Sequence, residues 1–352
     1  MVDWGLARQI AALAAGAGDE EEPPFDAVAL SLEMEGPVAG YTRLALATPT
    51  PPAEVVTRAE WASVNLDALS HILDPVSERL DERLSSAGPF AGALRVGASA
   101  TVAAEAGLVM GYMSSRVLGQ YDVSLLGGDT DPRLLFVGRN LAGAVRDLEV
   151  DAESFGRWIC AHELTHVFQF QGVPWLREHM SGLLRRYVST LQVRIQNGSA
   201  GGLPVLPDPT RLVETFREGG LAALVQSPEQ RELMEEIQSA MSVIEGYSEH
   251  VMDAIAAETI PGHEALREAM TRRRQSRSWP QRVLERLLGF DVKLRQYEHG
   301  KQFADAVVRL AGIERLNRVW ISPEALPSPA EVQDPPAWIE RTESLARPAL
   351  HS

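Results

Sequence analysis

Apolar residues recur at helical spacing along most of this chain, and only two short runs break the period. Leu6, Ile10 and Leu13 predict a short first helix, stopped by Gly16 and Gly18. An acidic, proline-bearing loop follows from Asp19 to Pro24. The stretch from Phe25 to Leu46 is ambiguous, because Gly36-Pro37 interrupts it. Pro51-Pro52 opens a long helical pattern through Val56, Trp61, Val64, Leu69, Ile72, Leu73, Val76 and Leu80, with Pro75 a point for a kink. Pro89 to Leu118 reads as another helix, rich enough in alanine and glycine for a neighbour to pack close. The period then changes. Tyr121 to Leu126 and Leu134 to Val137 are the strand candidates, around the turn residues Gly127-Gly128-Asp129.

Beyond them the helical period returns. Asp151 suits an N-cap, and the helix it opens should run to about Phe170, before Gly172 and Pro174. Helices are expected over Trp175 to Ile195 and Leu212 to Val225. Ser227-Pro228-Glu229-Gln230 combines a cap, a first-turn proline and a glutamine three residues on, so it should start a helix reaching Thr259. Two more are expected at 281–288 and 291–311, and the proline-rich tail from Ser322 should lie over the surface. The expected fold class is mainly α with a small β-sheet, an α+β arrangement.

Composition narrows the partners. Apolar residues make up 45% and charged residues 23%, which suits a globular core rather than a disordered chain. The formal net charge of −15 repels phosphate backbones, so nucleic acid is not an expected partner. The local basic run Arg272-Arg273-Arg274 with Arg277 reads as a solvated helix end. A single cysteine, Cys160, rules out a disulfide framework within the chain and fits a reducing compartment. The start, Met1-Val2-Asp3-Trp4, lacks signal-peptide features. Arg95 and Glu105 interrupt the most apolar stretch, so no membrane span is expected. The expected location is cytoplasmic.

The chemistry lies at residues 162–166, His-Glu-Leu-Thr-His. Histidines four apart project from one helix face, so both imidazoles can reach one tetrahedral metal. The glutamate between them, Glu163, then sits beside the open coordination position. Such a triplet also arises by chance, as two ordinary histidines on an amphipathic helix, so context decides. Here Ala161, Leu164 and Phe168 point away from the histidines, as on a helix whose back packs into a core. A catalytic zinc takes three protein ligands. Glu245 is the best third candidate, within an otherwise apolar helix bearing Met241, Val243, Ile244, Tyr247, Val251, Met252 and Ile255, where a glutamate is costly unless paired. Glu249 shares its face and suits an outer role, accepting a hydrogen bond from a ligand histidine. Asp253 and His250 are alternatives further round the helix. Cys160 reads as a small core residue, and His179 as a surface or capping histidine.

The run from Thr165 to Arg177, with Glu245 to Asp253 and Gln296 to Gly300, resembles a bacterial zincin-like family of unknown function. Some of its members are labelled as associated with deazaflavin coenzyme biosynthesis, and others as candidate hydrolases. The resemblance covers most of the chain and implies a mainly helical zincin fold. Glu245-Gly246-Tyr247 is also similar to the third-ligand segment of gluzincin aminopeptidases, although the interval from His166 is far longer here. Zincins often place a Tyr or His opposite the metal as an oxyanion donor, and Tyr297 or His299 suits that part. They also often pair substrate with a sheet edge, for which Leu134 to Val137 is the candidate. The implied division is an N-terminal helical region 1–120, a zincin-like core 121–321 with inserted helices 174–226, and a tail 322–352. The expected function is zinc-dependent hydrolysis of a peptide or other amide bond, with Glu163 taking a proton from the activated water. The alternative is a zinc-bearing binding protein without turnover.

Overall fold

A computed structural model describes residues 2–16, 21–84, 91–125, 131–197, 228–275, 290–343 and 345. The helices expected at 212–225 and 281–288, and the turn at 127–129, lie outside the described residues. The protein is mainly helical, with one three-stranded sheet among the described residues. The chain divides into two compact units: residues 1–34 with 49–163, and residues 35–48 with 164–352.

The first unit holds the sheet. Strand β1 (Ala53–Val56) pairs in parallel with β3 (Arg133–Val137), and β2 (Gly119–Asp122) pairs antiparallel with β3 on its other side. Leu134, Leu135, Phe136 and Val137 of the central strand are fully buried. Ala53–Val56 was expected to begin a helix. Instead it pairs with β3, Ala53 opposite Leu134, and the helix starts only at Arg58. Its start is a reciprocal cap: Thr57 Oγ1 accepts from the Glu60 amide (3.1 Å), and the Glu60 carboxylate accepts from the Thr57 amide (2.8 Å).

Helix α1 (Trp4–Ala15) buries Ala7, Ala11 and Ala15, whereas Leu13, expected on its core face, is 81% exposed. The cause lies in its partners. Helix α2 (Ala27–Thr42) and helix α3 (Arg58–Leu84) precede α4 (Ala91–Ser114), whose Gly107 and Gly111 come against Ala7 and Ala11. Backbone-close packing selects the small residues, not the large ones. The ambiguous stretch after Phe25 is α2, which runs with Pro37 inside it. The stretch Val96–Ser114 of α4 is long and apolar enough to cross a membrane by length and composition, a test that one internal Glu105 does not defeat. Helix α5 (Gly138–Leu148), not anticipated, follows β3 directly.

Helix α6 (Ala152–Gly172) runs through the division between the units. The second unit continues with α7 (Leu176–Asn197), α8 (Pro228–Thr259), α9 (His263–Gln275), α10 (Phe290–Ala311) and α11 (Ile313–Leu316). α8 and α10 pack through facing glycines. A Cβ on Gly246 would lie 2.1 Å from the Gly300 carbonyl carbon, and one on Gly300 would lie 1.9 Å from the Ser242 carbonyl oxygen. Neither contact can be relieved by turning a side chain, because both obstacles are backbone. Gly300→Ala is therefore expected to destabilise the fold by at least about 1–3 kcal/mol, the usual cost of overpacking. Urea unfolding followed by circular dichroism checks this, and an unchanged midpoint would contradict the crossing.

The tail does more than lie over the surface. Ser328 closes a capping box with Glu331 at the start of α12 (Pro329–Gln333), and Asp334 caps α13 (Pro335–Thr342). Their prolines sit at helix starts, where the missing N–H is no loss. Trp338 is fully buried, donates to the Ala325 carbonyl (2.7 Å) and packs edge-on to Phe303.

Candidate metal centre

The centre is built on α6. Asp151 caps it, accepting from the Ser154 amide (2.8 Å), and that backbone bond holds the Asp151 carboxyl below its usual range. Ala161, Leu164 and Phe168 are buried, as the face opposite the histidines required. His162 and His166 stand one turn apart on the other side, both half-buried. α8 brings the third group. Val243, Ile244, Tyr247 and Val251 are buried around Glu245, whose side chain keeps 25% exposure. Ring nitrogens of His162 and His166 and a carboxylate oxygen of Glu245 all lie within 4.8 Å of one another. His166 Nε2 stands 3.8 Å from Glu245 Oε2.

That spacing fits a small divalent ion. Ligand bonds of about 2.0–2.2 Å at a tetrahedral angle place ligand atoms roughly 3.4 Å apart. Two imidazoles and a carboxylate also form a borderline-soft donor set of the type zinc accepts. Among the described residues this is the group of histidines and carboxylates that could hold a metal.

Glu163 is 7% exposed and takes part through the sheet. Its carboxylate accepts from the Tyr121 amide of β2 (3.1 Å). β2 is an outer strand, and the carbonyl of Leu118 just before it takes the Val137 amide of β3, so alternate amides such as that of Tyr121 point away from β3. Gly119 leaves room for the same carboxylate: a Cβ there would lie 2.8 Å from Glu163 Cγ and 2.9 Å from Oε1. The strand beside the glutamate is therefore β2. Leu134–Val137, expected there, is the centre of the sheet.

Sequence reasoning missed the polar support of His166. Its Nδ1 lies 2.9 Å from Gln169 Oε1 and 3.3 Å from Ser248 Oγ. An outer hydrogen-bond role had been expected of Glu249; at His166 Nδ1 that place is taken by Gln169, while Glu249 lies half-buried one turn beyond Glu245. The signal was present, since a residue three on from a ligand histidine shares its helix face.

The alternative ligands are engaged elsewhere. His250 bonds Asp305 through Nδ1 and Tyr41 through Nε2, both at 2.7 Å, and Asp253 pairs with Lys301 at 3.0 Å. Burial alone would raise the Asp305 carboxyl, but bonds from His250 and Lys301 outweigh it and hold it below the usual range. Cys160 is fully buried. Burial pushes its thiol up to about 12, and it is a core residue outside the group that could hold a metal. His179 is half-buried, edge-on to Trp175, and burial pushes its imidazole down. His299 is exposed, and Tyr297 falls in α10 with its side chain outside the described residues.

Two histidines a turn apart, a glutamate between them and a carboxylate from a second helix make up the site plan of a zincin. The chain belongs to the zincin-like metallopeptidase family, whose profile matches residues 2–339. It is also similar to a crystal structure from Chloroflexus aurantiacus, described as that of a candidate hydrolase with a novel fold. The two share 29% identity over 98% of this chain and 100% of the other, with a TM-score of 0.70. No curated protein matches.

Proposed function

We propose that this protein is a zinc-dependent hydrolase of peptide or other amide bonds, with Glu163 as its general base. The observation that supports it most is the convergence of His162, His166 and Glu245, with Glu163 carried on the same helix. These three would hold the ion, which when bound supplies Lewis-acid polarisation of a carbonyl and a water acidic enough to attack at neutral pH. The Tyr121 amide holds the Glu163 carboxylate by one oxygen. The other oxygen accepts the proton of the attacking water and returns it to the leaving amine. Among the described residues the group supplies three ligands, which would leave a tetrahedral zinc one open position. A cytoplasmic setting would favour narrow specificity.

The test is a peptide-library cleavage screen on protein of known zinc content, with and without a chelator. Cleavage that the chelator abolishes and zinc restores is the expected result. A protein that carries zinc and cleaves nothing would be a binding protein, and the hydrolase proposal would fall.

A further inference from the structure

The side chain of Gln169 is fully buried on α6, three residues beyond His166. The two shortest bonds of its carboxamide reach different elements. Nε2 donates to the Ile244 carbonyl of α8 (2.9 Å), and Oε1 lies 2.9 Å from His166 Nδ1. The order cannot be reversed. A backbone carbonyl only accepts, so the amide must turn its NH2 group toward Ile244. Its oxygen then faces His166, and an amide oxygen also only accepts. Nδ1 must therefore carry the proton, which in a neutral imidazole leaves the lone pair on Nε2. Nε2 is the nitrogen that faces Glu245 Oε2. Ser248 completes the arrangement: its hydroxyl lies 3.3 Å from both Nδ1 and Gln169 Oε1, and donates to the Ile244 carbonyl (3.1 Å).

We infer that Gln169 is a positioning residue that locks His166 in its Nδ1–H tautomer and ties it to the backbone carrying Glu245. Ile244 immediately precedes Glu245, so one buried amide sets both the proton position on one ligand and the distance to the next. With no proton between them, Nε2 and the carboxylate are two acceptors facing each other, an arrangement that a cation resolves. The role for the metal rests on the zinc proposal above, whereas the tautomer does not.

Two measurements separate these. The first uses metal-free protein with 15N-labelled histidine, at a pH where imidazoles are neutral. Long-range proton–nitrogen correlation reads the tautomer, and His166→Ala identifies the signal. An Nδ1–H ring in wild type is expected, and an Nε2–H ring would overturn the lock. The second titrates zinc against a chelating dye. Gln169→Met, which keeps the volume and removes the acceptor, is expected to weaken zinc about 10–100-fold, as outer-layer changes at metal histidines do. Gln169→Glu keeps an acceptor at Nδ1 but loses the donor to the Ile244 carbonyl, so it should recover only part of that loss. Zinc affinity unchanged in Gln169→Met would overturn the positioning role. An Nδ1–H ring in a wild type that binds no zinc would uphold the lock and overturn the metal proposal instead.

Discussion

Protein purified as His162→Ala should lose nearly all of its zinc, against about one zinc per chain in wild type. Among the described residues three protein groups converge at the centre, and their donor atoms fall within 4.8 Å of one another. An open site has no fourth protein ligand in reserve. Removing an outer-layer partner typically weakens binding about 10–100-fold, so removing a ligand should weaken it by more than about 100-fold. The fold should survive, because His162 is half-buried and the packed side of α6 is carried by Ala161, Leu164 and Phe168. Elemental analysis beside circular dichroism gives both quantities. Equal zinc in mutant and wild type would remove His162 from the ligand set, and with it the helix-borne pair on which the site is built.

Much of that site was legible because it obeys one period. Histidines four apart, Asp151 as a cap and an apolar opposite face all follow from 3.6 residues per turn, and each lies on α6 as expected. Glu245 was legible by contrast, as a carboxylate in an apolar helix. What escaped depends on partners distant in sequence. β1 has only four residues, and its strand character comes from pairing with β3, which no local window contains. α1 buries alanines instead of leucines because α4 offers glycines at the contact, and periodicity alone ranks large residues above small ones. Pro37 marked a break by propensity but lies within α2, where tertiary packing of Met34 and Val38 overrides it. Gln169 escaped because an uncharged amide carries no signal of its own until its two partners, one on each ligand helix, are known.

Glu163→Gln separates chemistry from structure more sharply than any other single change. Glutamine has nearly the same shape, and its amide oxygen can still accept from the Tyr121 amide that now holds the carboxylate. The neighbouring gap at Gly119 takes either side chain. His162, His166 and Glu245 are untouched, so zinc content and unfolding midpoint should match wild type. What glutamine cannot do is take up a proton. Loss of a general base removes about 10²–10⁴-fold in rate, so turnover should fall by that much or vanish below detection. The comparison is made on whichever peptide the library screen shows to be cut fastest, at saturating and limiting substrate. A fall in kcat at equal zinc content is the expected outcome, because the change acts on proton transfer and not on binding. Should the mutant cleave as fast as wild type, the base lies elsewhere. The Tyr121–Glu163 bond would then be a strut between β2 and α6.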